Sequence, residues 1–223
     1  MASTIQFSKT LSFIFDDPQW FRKLGVGFLI AMGCVLFGWL IFPIIFWVCL
    51  LEGYQIRMLR NMRDGVEHPL PNWDRMGEMA GEGFRVGLAQ LPIWFIALFT
   101  FIIPPLGLVG MAVAYFMTNE GLLRYIETNS LDGFFRFGEL WKSFRQNMSA
   151  SLSYGVWVFV LTVILTLLSS TFIGGILQIT LQVPLETHLL GQYGYGASTR
   201  EKPKHIGGSK PKNEGGSSDI FEM

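Results

Sequence analysis

Three glutamates recur in an otherwise apolar chain: Glu52 in Leu51-Glu52-Gly53-Tyr54, Glu120 in Asn119-Glu120-Gly121-Leu122 and Glu186 in Leu185-Glu186-Thr187-His188, spaced 68 and then 66 residues apart. Each closes a stretch that lacks Asp, Glu, Lys and Arg, namely 24–51, 86–119 and 146–185. A carboxylate so placed is costly in hydrocarbon and marks an ion path, a proton relay or an internal salt bridge. At about 1.5 Å per helical residue, Glu52 and Glu186 lie roughly 15 Å beyond the breaks in their stretches, near mid-bilayer if those breaks sit at the outer surface. Glu120 falls closer to the cytoplasm. One expectation is therefore that the three converge on a cavity open to the cytoplasm, with His188 and Tyr54 as partners. The favoured expectation is shallower: the turns are re-entrant, and each glutamate lies at headgroup level paired with Arg57, Arg60 or Arg124 one or two helical turns away.

Conventional catalytic chemistry is not encoded in recognisable form. The chain has no His-Glu-x-x-His, no Gly-x-x-x-x-Gly-Lys, no nucleophile elbow, no dinucleotide fingerprint and only three histidines, so no enzyme, cofactor or metal is expected. An enzyme acting on lipid would need a polar cluster at the cytoplasmic rim, which the sequence alone does not display. His68, between Glu67 and Pro69, reads as a solvated loop histidine. The alternation of glycine and tyrosine from Gly191 to Gly196 follows a helical pattern, with no strand before it, and reads as a helix end.

The elements that must position these groups belong to a bilayer. Of 223 residues, 50% are hydrophobic and 15% charged, with a mean hydropathy of +0.38, too oily for a soluble domain of this size. Lys plus Arg and Asp plus Glu each total 17, so no net basic field for nucleic acid is present. Cys34 and Cys49 lie in apolar stretches without redox or zinc spacing and read as small buried hydrophobes. Asp16, Asp17 and Pro18 interrupt the N-terminus before a signal-peptide core is complete, so the first membrane helix is expected to be retained.

Each uncharged stretch breaks near its middle, at Gly38 to Pro43, Pro104-Pro105-Leu106-Gly107 and Ser169 to Gly175. If each goes in and comes back, every Lys and Arg falls on one face. The positive-inside rule then predicts an all-α integral membrane protein of three consecutive hairpins, about six segments, in the cell (inner) membrane with both termini cytoplasmic. The pseudo-repeats run over about 18–63, 73–127 and 131–196, a single membrane domain 1–196, with 197–223 a flexible cytoplasmic tail.

Interfacial helices are expected between the hairpins. Residues 4–15 place Phe7, Leu11, Ile14 and Phe15 on one face, and Asp17-Pro18 starts the next helix. Trp20, Trp73 and Trp141 are the expected interfacial anchors, and Asp74 the cap of the second approach helix. Gly77 and Gly81, then Gly83 and Gly87, are four apart and predict close helix contact. Phe134, Phe137, Trp141, Phe144 and Met148 form a packing stripe.

Phe15-Asp16-Asp17-Pro18-Gln19-Trp20 with Lys23, Glu52-Gly53-Tyr54 with Arg57 and Arg60, Leu70-Pro71-Asn72-Trp73-Asp74 and Thr187-His188-Leu189-Leu190-Gly191-Gln192-Tyr193 together resemble the prokaryotic membrane family called domain of unknown function 4013. The resemblance implies several membrane helices with interfacial helices between them, and no activity. The stretch from Met76 to Gly87, rich in Gly and Met, departs from the family pattern. The functional expectation is an accessory or scaffold subunit with lipid and a membrane-protein partner or a second copy as its contacts. The alternative is a small transporter or channel using the glutamates.

Overall fold

The computed structural model describes residues 5–37 and 41–195. The expected tail, 197–223, and the first part of the Gly38 to Pro43 break lie outside the described residues. Within them every regular element is helical: α1 Phe7–Asp16, α2 Trp20–Leu36, α3 Ile41–Arg63, α4 Met76–Phe99, α5 Pro104–Thr128, α6 Phe137–Gln146, α7 Met148–Leu168 and α8 Phe172–Tyr195, with single 3-10 turns at Thr100–Ile102 and Leu131–Phe134.

Four helices, α3, α4, α5 and α7, are long and apolar enough to cross a membrane. A fifth span results if α1 and α2, which meet at 95°, count as one broken segment. Alone, α2 has 17 residues, and α8, although 24 residues long, is diluted by Gln178, Gln182, Glu186 and His188. The outward surfaces of these helices carry large apolar side chains such as Leu29, Phe42, Phe95, Phe99, Leu108, Phe159 and Leu167, as faces turned to lipid would.

Local signals explain most boundaries. Asp17 Oδ1 accepts the Gln19 N–H at 2.8 Å and Oδ2 takes the Lys23 ammonium at 2.7 Å, so the expected Asp17-Pro18 start is made by a buried aspartate that also anchors α2. Pro104 and Pro105 fill the first turn of α5, where a missing N–H costs nothing. That helix ends at Asn129 in the left-handed region (φ 53). Asp74 does not cap α4. The residue before that helix is Arg75, itself left-handed (φ 51) with no side-chain cap, and the Asp74 carboxylate turns instead to Arg57 at 3.4 Å. On α1 the inward face is Thr10, Phe13 and Ile14, while Leu11 and Phe15 are exposed. The rotation follows from Phe13, which stacks on His188 at 4.1 Å.

Helix α3 is the hub, packing on α2, α4, α5 and α8. Its crossing with α4 brings backbones together. A Cβ at Gly53 would meet Met79 O at 2.0 Å, and one at Gly83 would meet Cys49 O at 1.9 Å. Small residues permit such approach where no aqueous hydrophobic effect drives helices together. Of the four glycines expected at contacts only Gly83 serves. At Gly77, Gly81 and Gly87 a Cβ would meet nothing within 4 Å, because their side of α4 faces outward. The tightest pairing thus joins α3 to α4, across the boundary between the first two repeats.

Gly83→Val is expected to force the α3–α4 crossing apart and cost about 1–3 kcal/mol, as overpacking does. Gly81→Ala is expected to be neutral or to stabilise by up to about 1 kcal/mol through helix propensity. Thermal unfolding of the two variants in detergent checks the contrast.

Candidate functional site

The charged residues collect at one end of the helix bundle. There Arg60 at the end of α3 forms a two-pronged pair with Glu82 of α4, at 3.0 and 2.6 Å, and also donates to Asn129 beyond α5 at 3.0 Å. The Tyr125 hydroxyl of α5 donates to the same Glu82 carboxylate at 2.8 Å. Arg63 donates to the Ile126 carbonyl, and Arg124 of α5 to Glu139 of α6. That hydrogen bond, with Arg136 beside it at 3.5 Å, holds the exposed Glu139 carboxyl below the usual range. Lys23 links Asp17 to the Leu70 carbonyl, each at 2.7 Å. The opposite ends of the long helices carry no charged residue.

Each of the three glutamates meets a neutral donor. Glu52, half-buried on α3, accepts from Gln90 of α4 at 2.6 Å. Glu120, buried on α5, accepts from Ser143 of α6 at 2.9 Å and from the Tyr193 hydroxyl of α8. Glu186 accepts from Gln182 one turn earlier on α8, at 2.8 Å. No arginine pairs with any of them among the described residues. The favoured pairing with Arg57, Arg60 or Arg124 is not formed, because Arg60 and Arg124 are bonded to Glu82 and Glu139 and Arg57 is turned to the Asp74 main-chain carbonyl. No hydrogen bond joins the three carboxylates to one another among the described residues, and each has its own neutral partner.

His188 and Tyr54 also have other employment. His188 Nδ1 lies 3.2 Å from Thr10 Oγ1 and 3.2 Å from Gln192 Nε2, and Gln192 Oε1 accepts the Gln6 N–H at 2.8 Å, so the group fastens α1 to the end of α8. Tyr54 is buried and stacks on Trp73 at 4.7 Å. Trp73 continues onto Trp47 at 6.2 Å and donates from Nε1 to the Lys23 carbonyl at 2.6 Å. It is half-buried against α2 and α3, at the charged end of the bundle. Trp20 is half-buried, edge-on to Phe15 and Phe21. Trp141 is exposed on α6.

Sequence reasoning missed a set of hydroxyls. Tyr193 bonds Ser151 of α7 at 2.9 Å as well as Glu120, and its ring stacks on Tyr154 at 5.5 Å. Tyr154 in turn meets Tyr115 of α5, hydroxyl to hydroxyl, at 3.0 Å. Three helices contribute, so no spacing advertises the group; only Gln182, four before Glu186, was readable as a partner. Cys34 and Cys49 are free thiols. Among the described residues no cluster of His, Cys, Asp and Glu could hold a metal ion.

Residues 35–120 match the model of a protein family of unknown function, DUF4013. The match begins near the end of α2 and takes in α3, α4 and most of α5, with the Gly53–Gly83 crossing, Glu52 and Glu120 inside it. The resemblance read from the sequence is therefore borne out over that region. No curated protein and no solved structure matches the chain.

Replacing Glu120 by leucine leaves the Tyr193 and Ser143 hydroxyls without their acceptor, at an expected cost of about 1–3 kcal/mol. Glu120→Gln keeps an acceptor oxygen and is expected to lose less than half of that. Thermal midpoints in detergent separate the two variants.

Proposed function

We propose that this chain is a non-enzymatic integral protein of the cell (inner) membrane that serves as an accessory or scaffold subunit of a membrane assembly. In this reading α2, α3, α4, α5, α7 and α8 are six membrane segments forming three hairpins, with both termini cytoplasmic. The observation that carries the role is the employment of the glutamates. Glu52 and Glu120 each join neighbouring helices through a neutral donor, and Glu186 is closed off by its own helix. Embedded carboxylates used in this way stiffen a helix assembly. The orientation is supported by the gathering of arginine and lysine at one end, the end that the positive-inside rule assigns to the cytoplasm. The exposed apolar faces of α6 and of the long helices offer contact area to lipid and to a neighbouring membrane protein.

A second reading, a small transporter or channel, is favoured by one feature. The sequence of polar groups from Ser143 through Glu120, Tyr193 and Ser151, with Tyr154 and Tyr115 beside it, is a set of proton-exchanging side chains inside the bundle. Replacing Glu52, Glu120 and Glu186 together by glutamine is expected to leave reconstituted ion flux unchanged if the chain is a scaffold, and to abolish it if the chain transports.

Two measurements test the proposal. Gentle detergent extraction from native membranes followed by native mass analysis is expected to yield this chain with a membrane partner at fixed stoichiometry; a species containing only this chain would overturn the accessory role. In a background with Cys34 and Cys49 replaced by alanine, Ser12→Cys is expected to react with an impermeant thiol reagent only from the cytoplasmic side and Ser170→Cys only from the other. Labelling of both from one side would sink the six-segment topology.

A further inference from the structure

A cleft of about 820 Å³ opens at the charged end between the end of α3, the start of α4 and the connection before it. The closed Arg60–Glu82 pair and Asp64 form part of its wall; Arg57, Arg75 and Arg85 supply further guanidinia and Asp74 and Glu78 further carboxylates, while Gly81 leaves one side bare. Arg57 donates to the Asp74 main-chain carbonyl at 2.9 Å, but the charge pairs among these side chains are long. Arg57 lies 3.4 Å from Asp74 and 3.8 Å from Glu78, and Arg75 lies 3.6 Å from Glu78 and 3.9 Å from Asp74. A committed charge-assisted bond is about 2.7–2.9 Å long, and Arg60 with Glu82 nearby reaches 2.6 Å. Arg85 makes no hydrogen bond or close ion pair among the described residues; only its field reaches Glu82. The Asp74 and Glu78 carboxylates and the Arg75 and Arg85 guanidinia are thus held around one recess with bonding capacity to spare, beside an Arg57 fixed by the main chain.

That lining selects its ligand by charge. A simple anion would sit against four carboxylates, and a simple cation against four guanidinia. A group carrying both a phosphate and an ammonium satisfies both sets, the phosphate toward Arg57, Arg75 and Arg85 and the ammonium toward Asp74 and Glu78. The surface next to the cleft gives the source. Phe84, Leu88, Leu91 and Phe95 are all exposed, and with Gly81 they follow one another at helical spacing along α4, so a single apolar stripe leaves the cleft and runs along the helix toward its uncharged end. We propose that the cleft binds the headgroup of an amine-bearing phospholipid, with an acyl chain lying on this stripe. The site holds whether or not the chain serves a partner protein.

Gly81 makes the proposal testable without disturbing the packing. A side chain there enters open space and removes a helix-interior glycine, so Gly81→Met is expected to fill the cleft and keep the fold. Arg85→Gln removes a guanidinium that packs no helix contact and carries the test if the first variant misfolds. The full chain in detergent is titrated with dioleoyl phosphatidylethanolamine or dioleoyl phosphatidylglycerol and lipid adducts are read by native mass spectrometry. The ethanolamine lipid is expected to bind about tenfold more tightly than the glycerol lipid, with each variant losing that preference. Equal binding of the two lipids, preference for the glycerol lipid, or an undiminished preference in both variants overturns the proposal. Soluble O-phosphoethanolamine is added as a competitor. Displacement supports recognition of the phosphate-amine group from either source, and failure to displace a retained lipid preference supports recognition of the lipid with its chain.

Discussion

The backbone contact of α3 with α4 at Gly53 and Gly83 governs the rest of the charged end. Two helices that meet without intervening side chains are held at one separation and one register, and register decides which long side chains reach across. With Gly83 seated against Cys49 and Gly53 against Met79, Arg60 falls beside Glu82, and Arg57 beside Asp74 and Glu78. Tyr125 and Asn129 then bring the end of α5 to the same cluster.

From this frame outward the molecule spends polarity sparingly. Apolar helix faces are left outside, and buried polar groups are matched almost singly: a glutamate to a glutamine, a glutamate to two hydroxyls, a histidine to a threonine. Neutral donors do this at lower desolvation cost than buried ion pairs, which rarely recover the expense of dehydrating both charges. Ion pairs with full charges are kept to the charged end, where the Asp17–Lys23 pair is buried and most others are partly exposed. In the cleft among Arg57, Arg75, Asp74 and Glu78 charges of both signs are gathered with long side-chain pairs, which sets it apart from the close Arg60–Glu82 contact beside it.

Much of this architecture is legible in the order of residues along the chain. The uncharged stretches, the breaks at Pro104-Pro105 and at Ser169 to Gly175, and the turn at Asp17-Pro18 correspond to helices and their boundaries, because hydrocarbon excludes charge and proline ends or begins helices wherever the chain goes. The family resemblance holds over 35–120. Other expectations fail for identifiable reasons. Leu11 and Phe15 share a helical face with Ile14 in the spacing, but the stacking of Phe13 on His188 turns Leu11 and Phe15 outward. Asp74 has the signature of a cap, since it precedes a helix, but Arg57 from a distant turn competes for its carboxylate.

The sequence by itself determined the all-helical character, the apolar lengths of the helices and the confinement of charge to their same ends, because these follow from composition and local order along the chain. Only the tertiary structure decided which glycine is a contact and which faces open space, that Glu120 belongs to Tyr193 and Ser143, and that Arg57, Arg75, Asp74 and Glu78 surround one cleft. Those outcomes depend on how far each helix is rotated and slid against its neighbours. The repeating patterns that announce a helix are nearly unchanged by such a shift, while the partners of every side chain are exchanged by it.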